Sequence, residues 1–306
     1  MNYEKMYSTI DTHVAGEAFR ILTQSPIRLC GDGIQAQHDE LNNNFSNEKN
    51  LLLNEPRGHR GIHGCVVVPS RVADFSLLFF NHQGVSNFKY EGILATVTAL
   101  LETGNLTPSV EGLYRVETIK GIYKVKALIK NQEVTSVTIE NESCYEIEAN
   151  ADRTLIRVDN DRNYLLYALP DSIPGIELEH LAELNRWGLE RITELANENI
   201  EYVGVVVVES VSPAPGKIRS VTFEKDGYIL RSPGVDSTFA ILAAFEQKDS
   251  SISEIENYSV FGSSLIGKRI VNDKPQFSIE TKAFITGSHE FIFDQEDPLK
   301  EGFLLV

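Results

Sequence analysis

The sequence lacks long hydrophobic runs. Its longest apolar stretches, such as Leu77–Phe80 and Val203–Val208, have the length of strands and fall far short of the roughly 20 residues that cross a bilayer as a helix. The amino terminus has no basic stretch followed by an apolar run, so no secretory signal is evident. We therefore expect a cytoplasmic protein that does not insert into a membrane.

Cysteine is also scarce, with Cys30, Cys65 and Cys144 the three in 306 residues. Their spacing matches neither a metal site nor a redox motif, which is typical of a reducing compartment. The histidines include no pair with the spacing of a zinc site on one helix. Gly31-Asp32-Gly33 lacks the strand-turn-helix context of a phosphate-binding loop. The sequence therefore predicts no metal and no cofactor.

Positive charge is in deficit. The chain has 28 Lys and Arg against 44 Asp and Glu, a formal net charge of −16, which repels polyanions. We therefore expect no nucleic-acid partner and no anionic membrane partner. The length allows two domains or one large one, and we expect either a monomer or a homodimer.

Strand-like segments dominate what is present. Short apolar runs rich in β-branched residues lie between Gly, Pro, Asn and Asp, a pattern that favours strands. The predicted strands are Gly64–Pro69, Asp74–Phe80, Tyr123–Ile129, Val134–Ile139, Leu155–Val158, Tyr164–Leu169, Val203–Val208, Lys217–Phe223 and Ala283–Ile285.

Helical periodicity is clear in three places. One helix follows Gly92 and ends at Gly104, a second spans Glu177–Asn197, and a third opens at Asp236, with Asp236 or Ser237 as its cap. The polar segment Gly31–Asn50 is predicted to be a mobile surface loop. Strands, a Gly-containing turn and a helix therefore occur twice, near residues 92 and 236, as a coarse internal repeat.

Segments from both ends of the chain match one known family. They resemble the proline racemase and hydroxyproline epimerase family nearly end to end, and the matches include Asp11-Thr12-His13, Gly16-Glu17, Arg20, Glu55-Pro56-Arg57-Gly58-His59, Gly64, Ala73-Asp74-Phe75, Asn163, Arg231-Ser232-Pro233, Thr238, Gly262, Ile266-Gly267, Ile285-Thr286-Gly287, His289, Asp297-Pro298 and Gly302-Phe303. The resemblance implies an α/β (α+β) fold of two pseudo-symmetric domains. Each would be a curved, mostly antiparallel sheet around a central helix, with a ligand cleft between the domains. The expected limits are 1–120 with 283–306, and 121–282.

The catalytic thiols of that family are missing. The family pattern Met-Cys-Gly-His falls on Phe88-Lys89-Tyr90-Glu91, within the turn Asn87–Gly92. The pattern Asp-Arg-Ser-Pro-Cys-Gly-Thr-Gly-Thr falls on Leu230–Thr238, which places Gly234 at the second cysteine. A third element, usually Gly-Gly-Asn-Phe, becomes Asp161-Arg162-Asn163-Tyr164. Racemisation needs a base on one face of the α-carbon and an acid on the other, and Gly234 can supply no proton.

The candidate catalytic residues are therefore Lys89 and Glu91. A lysine becomes a useful base where burial or positive neighbours lower its pKa from about 10.4, whereas a nearby carboxylate favours the ammonium form. The alternatives are a solvated or Glu91-paired lysine, and acidic side chains that simply favour a helix start. By resemblance, the expected ligand-binding residues are Tyr90, Gly92, Leu230, Gly234, Val235, Asp236 and Ser237.

Three functions remain open from the sequence. The first is a divergent family member that cannot racemise through two thiols and binds a small amino- or imino-acid-like or other polar molecule. The second is a one-base lyase or isomerase that uses Lys89 and resembles hydroxyproline dehydratases, which normally keep cysteine or serine at the first position and threonine at the second. The third is a non-catalytic subunit of an active paralogue.

Overall fold

The computed structural model describes residues 3–24, 26–82, 84–86, 88–141, 144–159, 161–211, 216–248, 252–270 and 276–305. Asn87, the first residue of the predicted first turn, lies outside these ranges. No helix among the described residues is long and apolar enough to span a membrane.

The chain forms a mixed α/β structure in which strands hold 43% of the residues and helices 23%, so sheets dominate. The helices are α1 (Ile34–Asn44), α2 (Ser46–Leu53), α3 (Tyr90–Glu102), α4 (Leu181–Leu195) and α5 (Val235–Lys248), with a 3-10 turn at Leu178–His180. The strands are β1 (Tyr3–Val14), β2 (Glu17–Gln24), β3 (Ile62–Val68), β4 (Phe75–Asn81), β5 (Gly84–Ser86), β6 (Leu113–Thr118), β7 (Gly121–Lys130), β8 (Glu133–Asn141), β9 (Tyr145–Ala149), β10 (Arg153–Arg157), β11 (Asn163–Ala168), β12 (Gly204–Ser210), β13 (Lys217–Glu224), β14 (Glu254–Tyr258), β15 (Ser264–Ile270), β16 (Gln276–Thr281) and β17 (Ala283–Asp294).

The chain divides into two compact units. The first comprises residues 1–137 and 282–306, and the second comprises residues 138–281. The first unit continues beyond residue 120 because β7 pairs with β6 along the whole of β6. The predicted domain limits stay a prediction.

The two units repeat one strand order. In the first, β17 pairs antiparallel with β1, β1 antiparallel with β2, β2 parallel with β3, β3 antiparallel with β4, β4 parallel with β6, and β6 antiparallel with β7. In the second, β9, β10, β11, β12, β13, β14 and β15 follow the same sequence of antiparallel and parallel pairings. The predicted internal repeat is therefore confirmed, and α3 is the counterpart of α5.

The strands of each unit surround one helix. Helix α3 contacts β1, β2, β3, β7 and β17, and α5 contacts β9, β10, β11, β15 and β16. Twelve of the thirteen residues of α3 are buried, as expected of a helix that is apolar on every side. On the other face of the sheets, α2 packs over β3 and β4 in the first unit, and α4 packs over β12 and β13 in the second. The two enclosed helices are therefore fixed parts of the core.

Every predicted strand is present, and α3 and α4 fall within their predicted limits or close to them. The predicted loop Gly31–Asn50 is wrong, because the segment forms α1 and most of α2 and buries Leu41 in the core. The predicted cap of the third helix is also wrong. Helix α5 begins at Val235, so Asp236 and Ser237 lie in its first turn.

Candidate functional site

The starts of α3 and α5 are equivalent positions in the two units. Lys89 directly precedes α3 and has extended backbone angles (φ −147°, ψ 122°), whereas Gly234 directly precedes α5 and has a φ of +81°. The first-turn N–H groups of a helix lack partners within it and favour negative charge. In each unit the second helical residue supplies that charge, as Glu91 in α3 and Asp236 in α5, and both side chains are buried.

Aromatic side chains pack around the first helix start. The rings of Phe88 and Tyr90 meet edge to face at 4.6 Å, and Tyr123 lies 4.6 Å from Phe88 and 5.5 Å from Tyr90 between ring centroids. Lys89 is half-buried beside this cluster. Gly92 is needed for packing, because a Cβ there would lie 2.7 Å from Phe79 Cε1. A ligand at this start would therefore meet Lys89 rather than Gly92.

An ion-pair network occupies the second helix start. Arg162 Nη1 lies 2.9 Å from Asp236 Oδ1, and Arg162 Nε donates to Asp159 Oδ2 at 2.8 Å. Burial opposes the charge on Arg162, but attraction to Asp236 and the hydrogen bond to Asp159 outweigh it, so the pKa of Arg162 lies well above its ordinary value. The first turn of α5 is therefore occupied by groups of the chain itself.

Hydrogen bonds fix the turn at Gly234. The Gly234 N–H donates to Ser232 Oγ at 3.1 Å, and the Gly234 carbonyl accepts from the Thr238 N–H and hydroxyl at 2.9 and 2.7 Å. The hydroxyls of Ser237 and Thr222 lie 2.6 Å apart, and Leu230 and Val235 are buried. This turn has no side chain that could take up or release a proton at the Gly234 position.

The described cysteines do not replace the missing thiols. Burial raises the pKa of Cys65 to about 12. Burial also raises the pKa of Cys144, and the negative charges of Asp236 and Asp159 add to that shift. Cys144 lies 3.4 Å from the Phe239 carbonyl, to which its thiol can donate. Cys30 is exposed in the segment before α1. Since the thiolate is the reactive form, neither buried cysteine offers a base near neutral pH.

A buried carboxylate–imidazole pair in the first unit was missed by sequence reasoning. His63 Nε2 lies 2.8 Å from Glu17 Oε1, and both side chains are buried. The His63 ring stacks on Phe19, whose Cε1 is 3.2 Å from the position that a Cβ of Gly92 would take. The Phe19 ring therefore lies between this pair and the first turn of α3. The parallel pairing of β2 with β3 brings the two residues together, and a single sequence gives no signal for that pairing.

The predicted site residues fall into two groups. Lys89, Tyr90, Glu91 and Gly92 lie at the start of α3, and Leu230, Gly234, Val235, Asp236 and Ser237 lie at the start of α5 or just before it. Arg162 was noted as a departure from the family pattern, but its pairing with Asp236 was not predicted.

Among the described residues, one cluster has three side chains close enough to share a metal ion: Glu177, Glu179 and His180. This cluster contains none of the predicted site residues.

Comparisons with known proteins agree with this architecture. The family described as proline racemase matches residues 9–304. The trans-3-hydroxy-L-proline dehydratase of Bacillus thuringiensis subsp. konkukian is 29% identical, with all of both chains covered. The proline racemase of Acetoanaerobium sticklandii is 27% identical, with 99% of each chain covered.

Solved structures share the fold. A hydroxyproline epimerase from Agrobacterium vitis with bound trans-4-hydroxy-L-proline superimposes with a TM-score of 0.82 at 20% identity, covering 100% of this chain and 97% of the other. A probable proline racemase from Agrobacterium radiobacter K84 with bound carbonate has the same TM-score at 19% identity and covers 98% and 96%. The chain therefore belongs to the proline racemase family.

Proposed function

We propose that this protein binds a small amino- or imino-acid-like or other polar molecule and does not racemise it through two thiols. The observation that carries the proposal is the second helix start. There, the family's sequence pattern aligns its second catalytic cysteine with Gly234. Asp236 at the same start forms a buried ion pair with Arg162. Inversion at an α-carbon needs proton transfer on both faces, and Gly234 has no side chain that could provide one of them.

The charges at the helix starts bear on the kind of ligand. Asp236 already interacts with the first turn of α5, so the carboxylate of a ligand would compete with it and meet like-charge repulsion. Glu91 has the same position in α3. A ligand with an ammonium group or other hydrogen-bond donors fits these carboxylates better than one that presents only a carboxylate.

A ligand panel with a racemisation assay tests the proposal. We expect L-proline, trans-3-hydroxy-L-proline, trans-4-hydroxy-L-proline or putrescine to raise the melting temperature, since a ligand that binds only the folded state stabilises it. Chiral chromatography should detect no inversion of any of them. Inversion, or a melting temperature that no compound shifts, would contradict the proposal.

A second candidate is a one-base dehydration that uses Lys89. Two observations favour it: a full-length relative is a trans-3-hydroxy-L-proline dehydratase, and Lys89 is a half-buried amine at the start of α3. In such a reaction the base takes the α-proton, a double bond forms between the α- and β-carbons, and the β-hydroxyl leaves with a proton as water.

Proton exchange distinguishes the two candidates. The protein is incubated with trans-3-hydroxy-L-proline or L-proline in deuterium oxide, and the α-proton signal is followed by NMR. The dehydratase predicts loss of that signal or formation of a dehydrated product, abolished by Lys89→Ala and retained in the matched surface variant Lys124→Ala. An α-proton signal that does not change eliminates this candidate and leaves the binding proposal standing.

A further inference from the structure

An exposed basic surface lies on the β6–β7 hairpin of the first unit. Side chains of the two strands alternate between a buried face, which includes Tyr114 and Val125, and an exposed face. We call this exposed face the hairpin face, and it comprises Leu113, Arg115, Ile122, Lys124, Lys126, Leu128 and Lys130. It therefore combines four cations with three apolar side chains, Leu113, Ile122 and Leu128, each about 40–50% exposed.

This basic surface is unusual for an acidic chain. Residues 113–130 contain five basic residues and one acidic residue, a net charge of +4, within a chain of net charge −16. Arg115 and Lys124 lie directly opposite each other in the strand register, an arrangement that destabilises an antiparallel pair. A local conflict of this kind is expected where a surface serves a function other than folding.

The surface is not neutralised within the described chain. Two acidic residues adjoin it. Glu117 accepts hydrogen bonds from the hydroxyls of Ser70 and Ser76 through the same carboxylate oxygen, and Asp74 accepts one from the backbone N–H of Arg115 at 2.6 Å. None of Arg115, Lys124, Lys126 and Lys130 forms an ion pair with another described residue. Among the described residues, these four side chains therefore have no ion-pair partner, and solvent ions or a partner protein can supply compensating charge.

The part of the chain that follows the hairpin carries the opposite charge. The described residues 131–141 and 144–152, which we call the acidic segment, contain five acidic residues and no Lys or Arg. Within it, Glu140 and Glu148 are exposed, and Tyr145 and Ile147 of β9 are 50% and 42% exposed. Acidic and apolar side chains thus occur together, as a partner of the hairpin face would require.

We propose that the hairpin face binds the acidic segment of a second copy of this protein. Opposite charges would draw the two copies together, and the exposed apolar side chains on both surfaces would lose contact with water. A second copy also carries a net charge of −16, but its contact can be confined to the acidic segment. Nucleic acid and anionic membranes fit less well, because they present negative charge over a wide area and meet the −20 charges of the chain outside residues 113–130.

Charge reversal on each surface tests the proposal. Sedimentation equilibrium is measured at roughly 0.01 M and 1 M ionic strength, where the Debye length is about 30 Å and 3 Å. We expect the wild type to associate at low ionic strength and dissociate at high ionic strength. Lys124→Glu/Lys126→Glu and Glu140→Lys/Glu148→Lys should each weaken self-association at least about tenfold, and an equimolar mixture of the two variants should associate again.

The controls separate this contact from a general effect of charge. The matched variant Arg71→Glu/Lys225→Glu changes the net charge by the same amount as the hairpin variant, at exposed positions outside both surfaces, and should associate like the wild type. Circular dichroism checks that each variant is folded. A monomeric wild type at low ionic strength, or a mixture that stays monomeric, overturns the proposal. Binding of a DNA duplex or of phosphatidylserine vesicles without self-association would also overturn it.

Discussion

Gly234 is subject to two separate constraints. Its φ of +81° is in the left-handed region, and a Cβ at this position would lie 2.9 Å from Ser237 Oγ and 3.2 Å from a methyl carbon of Leu230. A cysteine side chain would therefore meet both backbone strain and close contacts. The resemblance places the second catalytic cysteine of the family at Gly234, and in this chain a thiol there would require a different shape of the turn as well as a different residue.

We predict that Gly234→Cys lowers the free energy of unfolding by about 1–3 kcal/mol, from left-handed strain together with crowding against Ser237. Urea denaturation measures the change. Gly33→Cys is the matched control, because Gly33 also has a positive φ, +88°, but nothing lies within 4 Å of its Cβ position. Equal losses at the two sites would show that the contacts with Ser237 and Leu230 cost nothing.

Arg162 pairs with two carboxylates, the buried Asp236 and the partly buried Asp159. Removing it would leave Asp159 and Asp236 side by side without a cation, a change that typically costs about 3–5 kcal/mol when the partner charge stays buried. We predict a loss of that order for Arg162→Met in urea denaturation. Arg153→Met is the control, since the partner of Arg153, Glu198, is exposed and such pairs contribute about 1 kcal/mol or less. A small loss for Arg162→Met would contradict the account of the second helix start.

At the scale of elements, periodicity identified some helices and missed others. Helix α3 was predicted because its apolar residues end cleanly at Gly104, where the N–H of Asn105 reaches the Leu100 carbonyl. Helices α1 and α2 were missed because residues 34–50 are polar and include Asn42-Asn43-Asn44. Leu41 and Leu51–Leu53 are buried against Val66, Leu78 and Phe80. Packing on the sheet, rather than intrinsic propensity, therefore stabilises these two helices.

Helix α3 also depends on one glycine for its fit in the sheet. Alanine is favoured over glycine in a helix by about 1 kcal/mol, but a methyl group at position 92 would lie 2.7 Å from the Phe79 ring. We predict that Gly92→Ala lowers the melting temperature, because overpacking costs about 1–3 kcal/mol. The double variant Gly92→Ala/Phe79→Leu should regain part of the loss. A more stable single variant would show that the ring moves aside freely.

In the β6–β7 hairpin, by contrast, we expect a single substitution to increase stability. Lys124→Glu replaces a like-charge pair with one in which a carboxylate faces Arg115 across the strands, and opposite-charge pairs stabilise a sheet by about 0.2–1 kcal/mol. We predict a small rise in the stability of the monomer, larger at low than at high ionic strength. Urea denaturation at a protein concentration below that at which the wild type associates measures it. Lys130→Glu, which has no cross-strand cation in that register, is the control.

At the scale of the whole molecule, stability should fall in weak acid. Burial lowers the pKa of His13 below its usual 6.5, and its Nδ1 accepts a hydrogen bond from the Gly16 N–H at 3.3 Å. Burial also lowers the pKa of His82. Because the unfolded chain binds these protons more tightly, stability is complete above about pH 6.5 and decreases as the pH falls through the lower folded pKa values.

The measurement is a series of urea midpoints between pH 7.5 and pH 5. We predict that His13→Gln shows a shallower decrease with falling pH than the wild type. Identical slopes for the wild type and His13→Gln would mean that His13 does not contribute to acid sensitivity.

More of the fold than of the candidate site could be predicted from the sequence. The strand-turn-helix repeat could be recognised because apolar alternation and glycine punctuation are local properties of Gly64–Phe80 and Val203–Phe223. The contacts between Arg162 and Asp236 and between Glu17 and His63 join residues far apart in the chain. Such contacts depend on strand order and register, which a single sequence does not encode in any local pattern.

The repeated architecture also allows the two helix starts to be compared as positions for a thiol side chain. The backbone at Lys89 is extended and accepts any side chain, so one substitution could place a thiol at the first start without strain. The left-handed backbone at Gly234 does not allow this, and Arg162 and Asp236 already fill its surroundings. Placing a thiol at both helix starts would therefore require one mutation in the first unit but several coordinated mutations in the second, so the second unit is the greater barrier to a chain with paired thiols.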